Sequence, residues 1–224
     1  MAAFRGFPAD ALTFFAELEA NNNRPWWLEN KERFEATVRG PLLALIDELE
    51  PTFGAFSVFR PNRDIRFSKD KSPYKTNIGA VSESEGGGVY YVHLDATGLM
   101  AAAGYYMMAK DQIERYREAV AAERSGRELI ELAAALAAKK LVVTAGGEGE
   151  LKTAPRGYAA DHPRIEWLRR KGLVIATTFG APKWIHTHAA MDRVTALWVA
   201  AEPLNDWLDR HVGPSTLPPP DYSR

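Results

Sequence analysis

The sequence predicts an α+β fold: a single domain with a central antiparallel or mixed sheet and helices from both chain ends packed around it. Three observations lead there. Apolar residues recur at helical spacing before Pro51, short apolar or alternating runs separated by glycines fill Ser57 to Met107, and helical spacing returns toward the C-terminus. No internal repeat and no Pro- or Ser-rich linker divides the middle of the chain. One domain is therefore expected over residues 7–212, followed by a poorly ordered tail over 213–224.

The elements follow in order. Pro8 suits a first helical position, and Leu12, Phe15 and Leu18 fall on one face behind it. The amides Asn21, Asn22 and Asn23 compete for backbone hydrogen bonds and end that helix. Pro25 restarts the pattern, with Trp27, Phe34 and Val38 on a stripe, and Pro41 opens a third helix through Leu42, Leu45, Ile46 and Leu49. Strands are expected at Ser57 to Phe59, Ile65 to Phe67, Val89 to Leu94 and Leu99 to Met107. The break Ser82 to Gly88 reads as a hairpin loop, since no Lys-Ser or Lys-Thr follows its glycines as a phosphate loop requires. Helical patterns span Lys110 to Ala122 and Gly126 to Ala138, and a strand enters a turn at LVVTAGGEGE. A short helix over Pro163 to Lys171, a strand over Leu173 to Phe179 and a helix over Thr187 to His211 complete the series.

Charge and composition narrow the function. Across 224 residues, 28 basic side chains meet 29 acidic ones, so no global field draws the protein onto nucleic acid or an anionic membrane. Cysteine is absent, which excludes disulfides, thiolate metal sites and cysteine nucleophiles and fits a reducing compartment. The opening MAAFRGFPAD lacks the apolar run of a signal peptide, and no run of roughly 18 apolar residues offers a membrane span. The expected location is the cytoplasm, with no membrane partner.

Against that neutral background, Arg60 to Lys75 holds six basic residues and only two acids, Asp64 and Asp70. If Arg63 to Ser68 is a strand, Asp64 and Arg66 share one face and pair, while Ile65 and Phe67 anchor the other. Lys69, Lys71 and Lys75 then converge with Arg66 beyond a turn at Ser68 to Pro73. Positioned guanidinium and ammonium groups suit a phosphate or carboxylate. The ordinary alternative is a solvated edge hairpin guarded by lysine.

Three segments occur together in order: NNNRPWWLENKERFE from Asn21, RDIRFSKDKSPYKTNIG from Arg63 and LKTAPRGYAADHPRIEWLRRKGL from Leu151. Together they resemble the bacterial and fungal family catalogued as domain of unknown function 2461, a set of conserved hypothetical proteins. The likeness runs from about Phe7 to His211, with Trp27 standing where that family's pattern more often has Phe. It implies a fold unit and candidate positions, and no mechanism.

In the third segment, Lys152, Arg156, Tyr158 and His162 lie among Pro155, Gly157 and Pro163, as in a constrained loop displaying polar groups. Such a loop can complete a site; alternatively, Lys152 and Arg156 pair with nearby acids and His162 caps the next helix. Trp26 and Trp27 point about 100° apart on a helix, so one belongs in the core and the other at a boundary. His186, His188 and Asp192 invite a metal, yet residues two apart on a helix diverge by about 200°. No metal and no cofactor is expected.

The residues support a pocket for a phosphorylated or carboxylated small molecule, built from Arg63, Arg66, Lys69, Lys71, Tyr74 and Lys75 and closed by Lys152, Arg156 and Tyr158. Replacing Arg66 by alanine is expected to remove a charge-assisted contact to the ligand. In an enzyme the cations would stabilise developing charge while Tyr74, Tyr158 or His162 moved a proton. A nucleic-acid-binding module using the same cations, with Trp26 or a tyrosine stacked on a base, is the alternative, and a protein-interaction module is another. No catalytic residue, reaction or oligomeric state is assigned by the sequence.

Overall fold

The computed structural model describes residues 3–66, 69–83, 87–147 and 149–218. Its class is α+β, with an antiparallel six-stranded sheet in the order β1-β2-β3-β4-β6-β5. The strands are β1 (Phe56–Val58), β2 (Asn77–Glu83), β3 (Val89–Asp95), β4 (Gly98–Tyr105), β5 (Val143–Thr144) and β6 (Leu173–Gly180). The helices are α1 (Ala9–Ala20), α2 (Arg24–Phe34), α3 (Gly40–Phe53), α4 (Lys110–Ala121), α5 (Glu123–Ala138), α6 (Ile165–Leu168) and α7 (Ala189–His211). Among the described residues, no helix is long and apolar enough to cross a membrane. Contacts sort the chain into two units: residues 1–82, 90–101 and 177–197 form the first, and residues 83–89, 102–176 and 198–224 the second.

The first unit is built on aromatic packing. Pro8 precedes α1 as its N-cap, Asn21 closes that helix, and the Asn23 side chain accepts the Trp26 N–H to start α2. Trp27, 6% exposed, packs on Phe34 at 4.9 Å, and Phe14 meets both rings. Trp26 stays half-buried, as two adjacent indoles on one helix require. The expected fresh start at Pro41 is instead a continuation. A π turn over Glu35–Arg39 joins α2 to α3, and the Gly40 N–H reaches back to the Glu35 carbonyl. Pro41 has no N–H and its ring crowds the preceding turn, so a widened turn accommodates it.

Arg33 ties α1 to α2. Its guanidinium donates to both Asp10 oxygens at 2.8 and 2.6 Å and to Glu17 at 2.5 Å, and sits over the Phe14 ring. Hydrogen bonding from Arg33 holds the Asp10 carboxyl below its usual range. Near the chain start, the Phe7 N–H donates to the Ile185 carbonyl at 2.8 Å, and His186 Nδ1 lies 2.7 Å from the Phe7 carbonyl oxygen. His188 lies 3.4 Å from Glu48 and 3.7 Å from Asp192.

In the second unit, α4 ends against Arg164, which donates to the carbonyls of Val120 at 2.7 Å and Ala121 at 2.8 Å. These are carbonyls that a helix leaves unpaired at its last turn. Buried Trp207 donates its indole N–H to Ser125, and buried Tyr116 its hydroxyl to Trp167. Residues 213–217, the start of the expected tail, are tied to α4: Gln112 donates to the Gly213 carbonyl, and Asp111 accepts from Ser215 and Thr216. The tail beyond residue 218 lies outside the described residues, as do residues 84–86 of the expected Ser82 to Gly88 loop.

Two stability measurements follow. A Cβ on Gly98 (φ +126°) would lie 1.9 Å from the Gly180 oxygen, whereas one on Gly157 (φ +90°) meets nothing within 4 Å. Both replacements by alanine incur backbone strain of about 1–2 kcal/mol. Only Gly98→Ala adds a backbone collision, so thermal or urea unfolding should show it losing about 2 kcal/mol more than Gly157→Ala. Arg33→Met should cost about 1–2 kcal/mol near neutral pH, after allowance for solvent screening. Because the folded pKa of Asp10 is depressed, this contribution is present above the ordinary 3.8 and lost as pH falls through the lower folded value. The gap between wild type and Arg33→Met should close accordingly in acid.

Candidate functional site

Ile65 and Arg66, the described part of the strand expected at Ile65 to Phe67, lie outside any strand. Residues 61–63 and 73–75 instead run antiparallel as a narrow neck: the Arg63 N–H donates to Pro73 at 2.9 Å, the Lys75 N–H to Pro61 at 2.8 Å, and Asn62 bridges Tyr74. Residues 64–66 lie outside any strand, while Phe67 and Ser68 fall outside the described residues. The two prolines in the neck act only as acceptors, so the ladder cannot extend further through them.

Tyr74 fixes this neck to the helices. Its ring stacks on Trp27 at 4.3 Å with 13° between planes, and it is 6% exposed. Asn22 completes the anchor, donating from its amide to the Tyr74 carbonyl at 2.9 Å and accepting the Tyr74 N–H at 3.1 Å. The side chain expected to touch a ligand or move a proton is turned into the core. Its neighbours along the neck, Arg63 and Lys75, are thereby held in place.

The loop neutralises part of its own charge. Arg66 grips Asp64 through both its Nε and Nη2 atoms, with the shortest contact 2.8 Å, and pulls the Asp64 carboxyl down to about 2. The pairing foreseen for a strand is made within a turn. Arg63 pairs with Asp70, which also accepts the Ser72 N–H at 2.9 Å. Lys71 donates to the Ile65 carbonyl at 2.9 Å, and Lys69 is exposed.

Lys75 is the exception. Its ammonium stands 5.2 Å above the Phe59 ring, its pKa pushed down by burial first and then by the charges of Arg60 and Arg63. Among the described residues Arg60 forms no ion pair closer than 4 Å. Three cations thus share one field that Asp64 and Asp70 only partly offset.

Phe59 carries this neighbourhood onto the sheet. Its ring lies 6.1 Å from that of Tyr91 on β3. Tyr91, His93 and Asp95 occupy alternate positions of β3 and are half-buried, while Val92 and Leu94 turn into the core. The Tyr91 hydroxyl is 3.1 Å from His93 Nδ1, and His93 Nε2 is 3.6 Å from Asp95 Oδ2. Asp95 Oδ1 accepts from the Thr97 N–H and hydroxyl, both at 2.7 Å, and from the Gly98 N–H at 3.1 Å. Its other oxygen is therefore left facing the imidazole. Burial lowers the His93 pKa, with Asp95 opposing.

Lys152, Arg156 and Tyr158 belong to the second unit. Lys152 and Arg156 are exposed; Tyr158 is half-buried, its phenol pushed up by burial and by Glu118. His162 Nδ1 accepts the Arg164 N–H at 3.1 Å beside α6, the capping role weighed from the sequence. Among the described residues no cluster of three or more His, Asp or Glu side chains has metal-binding geometry.

Sequence reasoning overlooked Arg60, Tyr91, His93 and Asp95 as a group. The signal was the alternation Tyr-x-His-x-Asp in a strand read as far as Leu94, which one further residue, Asp95, extends on the same face. No curated protein and no solved structure matches the chain significantly. The model of the family described as Conserved hypothetical protein (DUF2461) matches residues 10–207, which include the neck, the anchor at Trp27 and Tyr74, and the β3 face. The chain is a member of that family.

Proposed function

We propose that the protein binds a phosphorylated or carboxylated small molecule on the neck of the basic loop, with Arg60, Arg63 and Lys75 as its contacts. The observation that carries this reading is the placement of Lys75: its backbone is held in the neck and its ammonium stands partly buried 5.2 Å above the Phe59 ring, disfavoured by burial first and then by repulsion from Arg60 and Arg63. An anion relieves that repulsion, and the Tyr74 anchor means little ordering is required on binding. Phe59 offers an apolar face for the rest of the ligand.

Internal pairing favours a small ligand over a polynucleotide. Arg66 uses both Nε and Nη2 on Asp64, which shortens any basic stripe along the loop, whereas Arg63 meets Asp70 through Nη1 alone and keeps donors for a ligand. A cytoplasmic location belongs to the same reading, supported by a sequence of 224 residues without cysteine.

Thermal shift at constant ionic strength, with inorganic phosphate, pyrophosphate and citrate as probes, tests the reading. At least one probe should raise Tm. Lys75→Met and Arg60→Ala should each weaken its binding by about 10-fold or more, the scale of one charge-assisted contact. Arg66→Ala, whose side chain grips Asp64, should change binding little. Affinity should also fall as pH rises through the depressed Lys75 pKa, below the ordinary 10.5, because only the ammonium form attracts the anion. Absence of stabilisation by all three probes refutes the proposal.

A further inference from the structure

We propose that Tyr91, His93 and Asp95 form a proton relay that removes and returns a proton at a carbon beside a carbonyl of the ligand whose anionic end is held by Arg60, Arg63 and Lys75. This rests on the anion-binding reading above and assigns chemistry to the adjoining face of β3.

The relay is fixed by what each group can donate. A carboxylate only accepts, and Asp95 Oδ1 is already engaged by three donors, so Oδ2 favours the tautomer with the proton on His93 Nε2. Nδ1 then carries a lone pair, and the Tyr91 hydroxyl at 3.1 Å donates to it. The order hydroxyl, imidazole, carboxylate is that of an activated hydroxyl with an oriented base. Burial favours neutral imidazole, the form able to accept a proton. At 3.6 Å the Asp95 carboxylate favours the Nε2 proton by its charge rather than through a hydrogen bond. Once imidazolium forms, the charge of Asp95 opposes the burial penalty.

The step balances without oxidant or reductant. The ligand C–H gives its proton to Tyr91 Oη while the Tyr91 proton passes to His93 Nδ1; the C–H electron pair stays on the ligand as an enolate. The reverse passage returns a proton to carbon. Phe59 borders both anchor and relay, its ring centre lying 5.2 Å from the Lys75 ammonium and 6.1 Å from the Tyr91 ring. Gly79 makes room for this arrangement: a Cβ there would press on Tyr91 Cε2 and His93 Cβ, each at 3.2 Å.

The test joins two measurements on the full chain. Nitrogen-15 NMR of histidine-labelled protein at neutral pH should show His93 protonated on Nε2; the Nδ1 tautomer overturns the relay. Pyruvate, 2-oxoglutarate and dihydroxyacetone phosphate are then incubated with the protein in deuterium oxide and followed by proton NMR. At least one should lose its α-proton signal 10-fold or more faster than without protein. Tyr91→Phe and His93→Gln should each abolish that exchange, yet bind the phosphate or citrate probe as tightly as wild type. Tyr91→Phe keeps the ring packing and so guards against misfolding of the histidine variant. Anion binding without exchange of any of the three compounds, or exchange that survives both variants, overturns the inference and leaves the binding reading intact. Failure of wild type to bind any anion removes both.

Discussion

The stacked pair Trp27 and Tyr74, locked by the two hydrogen bonds of Asn22, is the contact on which the candidate site depends. A loop rich in like charges resists a fixed shape, because repulsion favours dispersal into water. Here the restoring force comes from burying two aromatic rings and satisfying both backbone groups of one residue. An Asn side chain reproduces the donor and acceptor of a peptide, so it serves Tyr74 as a neighbouring strand would. The charges flanking Tyr74 are consequently positioned by the hydrophobic core.

Within the loop, two acids decide which cations are available. Asp64 and Asp70 engage Arg66 and Arg63 at exposed positions, where such pairs add little to stability. Their effect is on shape and field. Asp70 also turns the chain at Ser72, Lys71 folds the loop back onto the Ile65 carbonyl, and the two acids leave the uncompensated charge near Lys75 and Arg60. The cation of greatest interest is thus the least hydrated one, set by its place beside Phe59.

Much of the architecture was legible because it is written in periodicity. The helices before Pro51 and the strands at Val89 and Leu173 follow from spacing alone, since a wrong period exposes apolar surface. The division of labour between Trp26 and Trp27 follows from their adjacency. Less legible was the joint between α2 and α3: Pro41 signals a boundary, but the local sequence does not say whether the helix stops or widens. The basic loop was recognised, and its charge pairing too, whereas the inward turn of Tyr74 depends on Trp27, nearly fifty residues earlier in sequence. The β3 face was open to inspection as an alternating pattern. The bond from His93 to Tyr91 needs the strand geometry to become visible.

The position of Arg164 has a mechanical consequence for the loop that carries Lys152, Arg156 and Tyr158. At one end the Leu151 N–H is bonded to the Arg169 carbonyl; at the other, Arg164 is fastened to the last carbonyls of α4. The intervening chain is a handle with both attachments riveted, and inside it Pro155 is buried, Tyr158 is half-buried and short turns close at Tyr158 and His162. In a handle fastened at both ends, any entropy gained by its residues is confined to a short closed length of chain, apart from the helices that hold it.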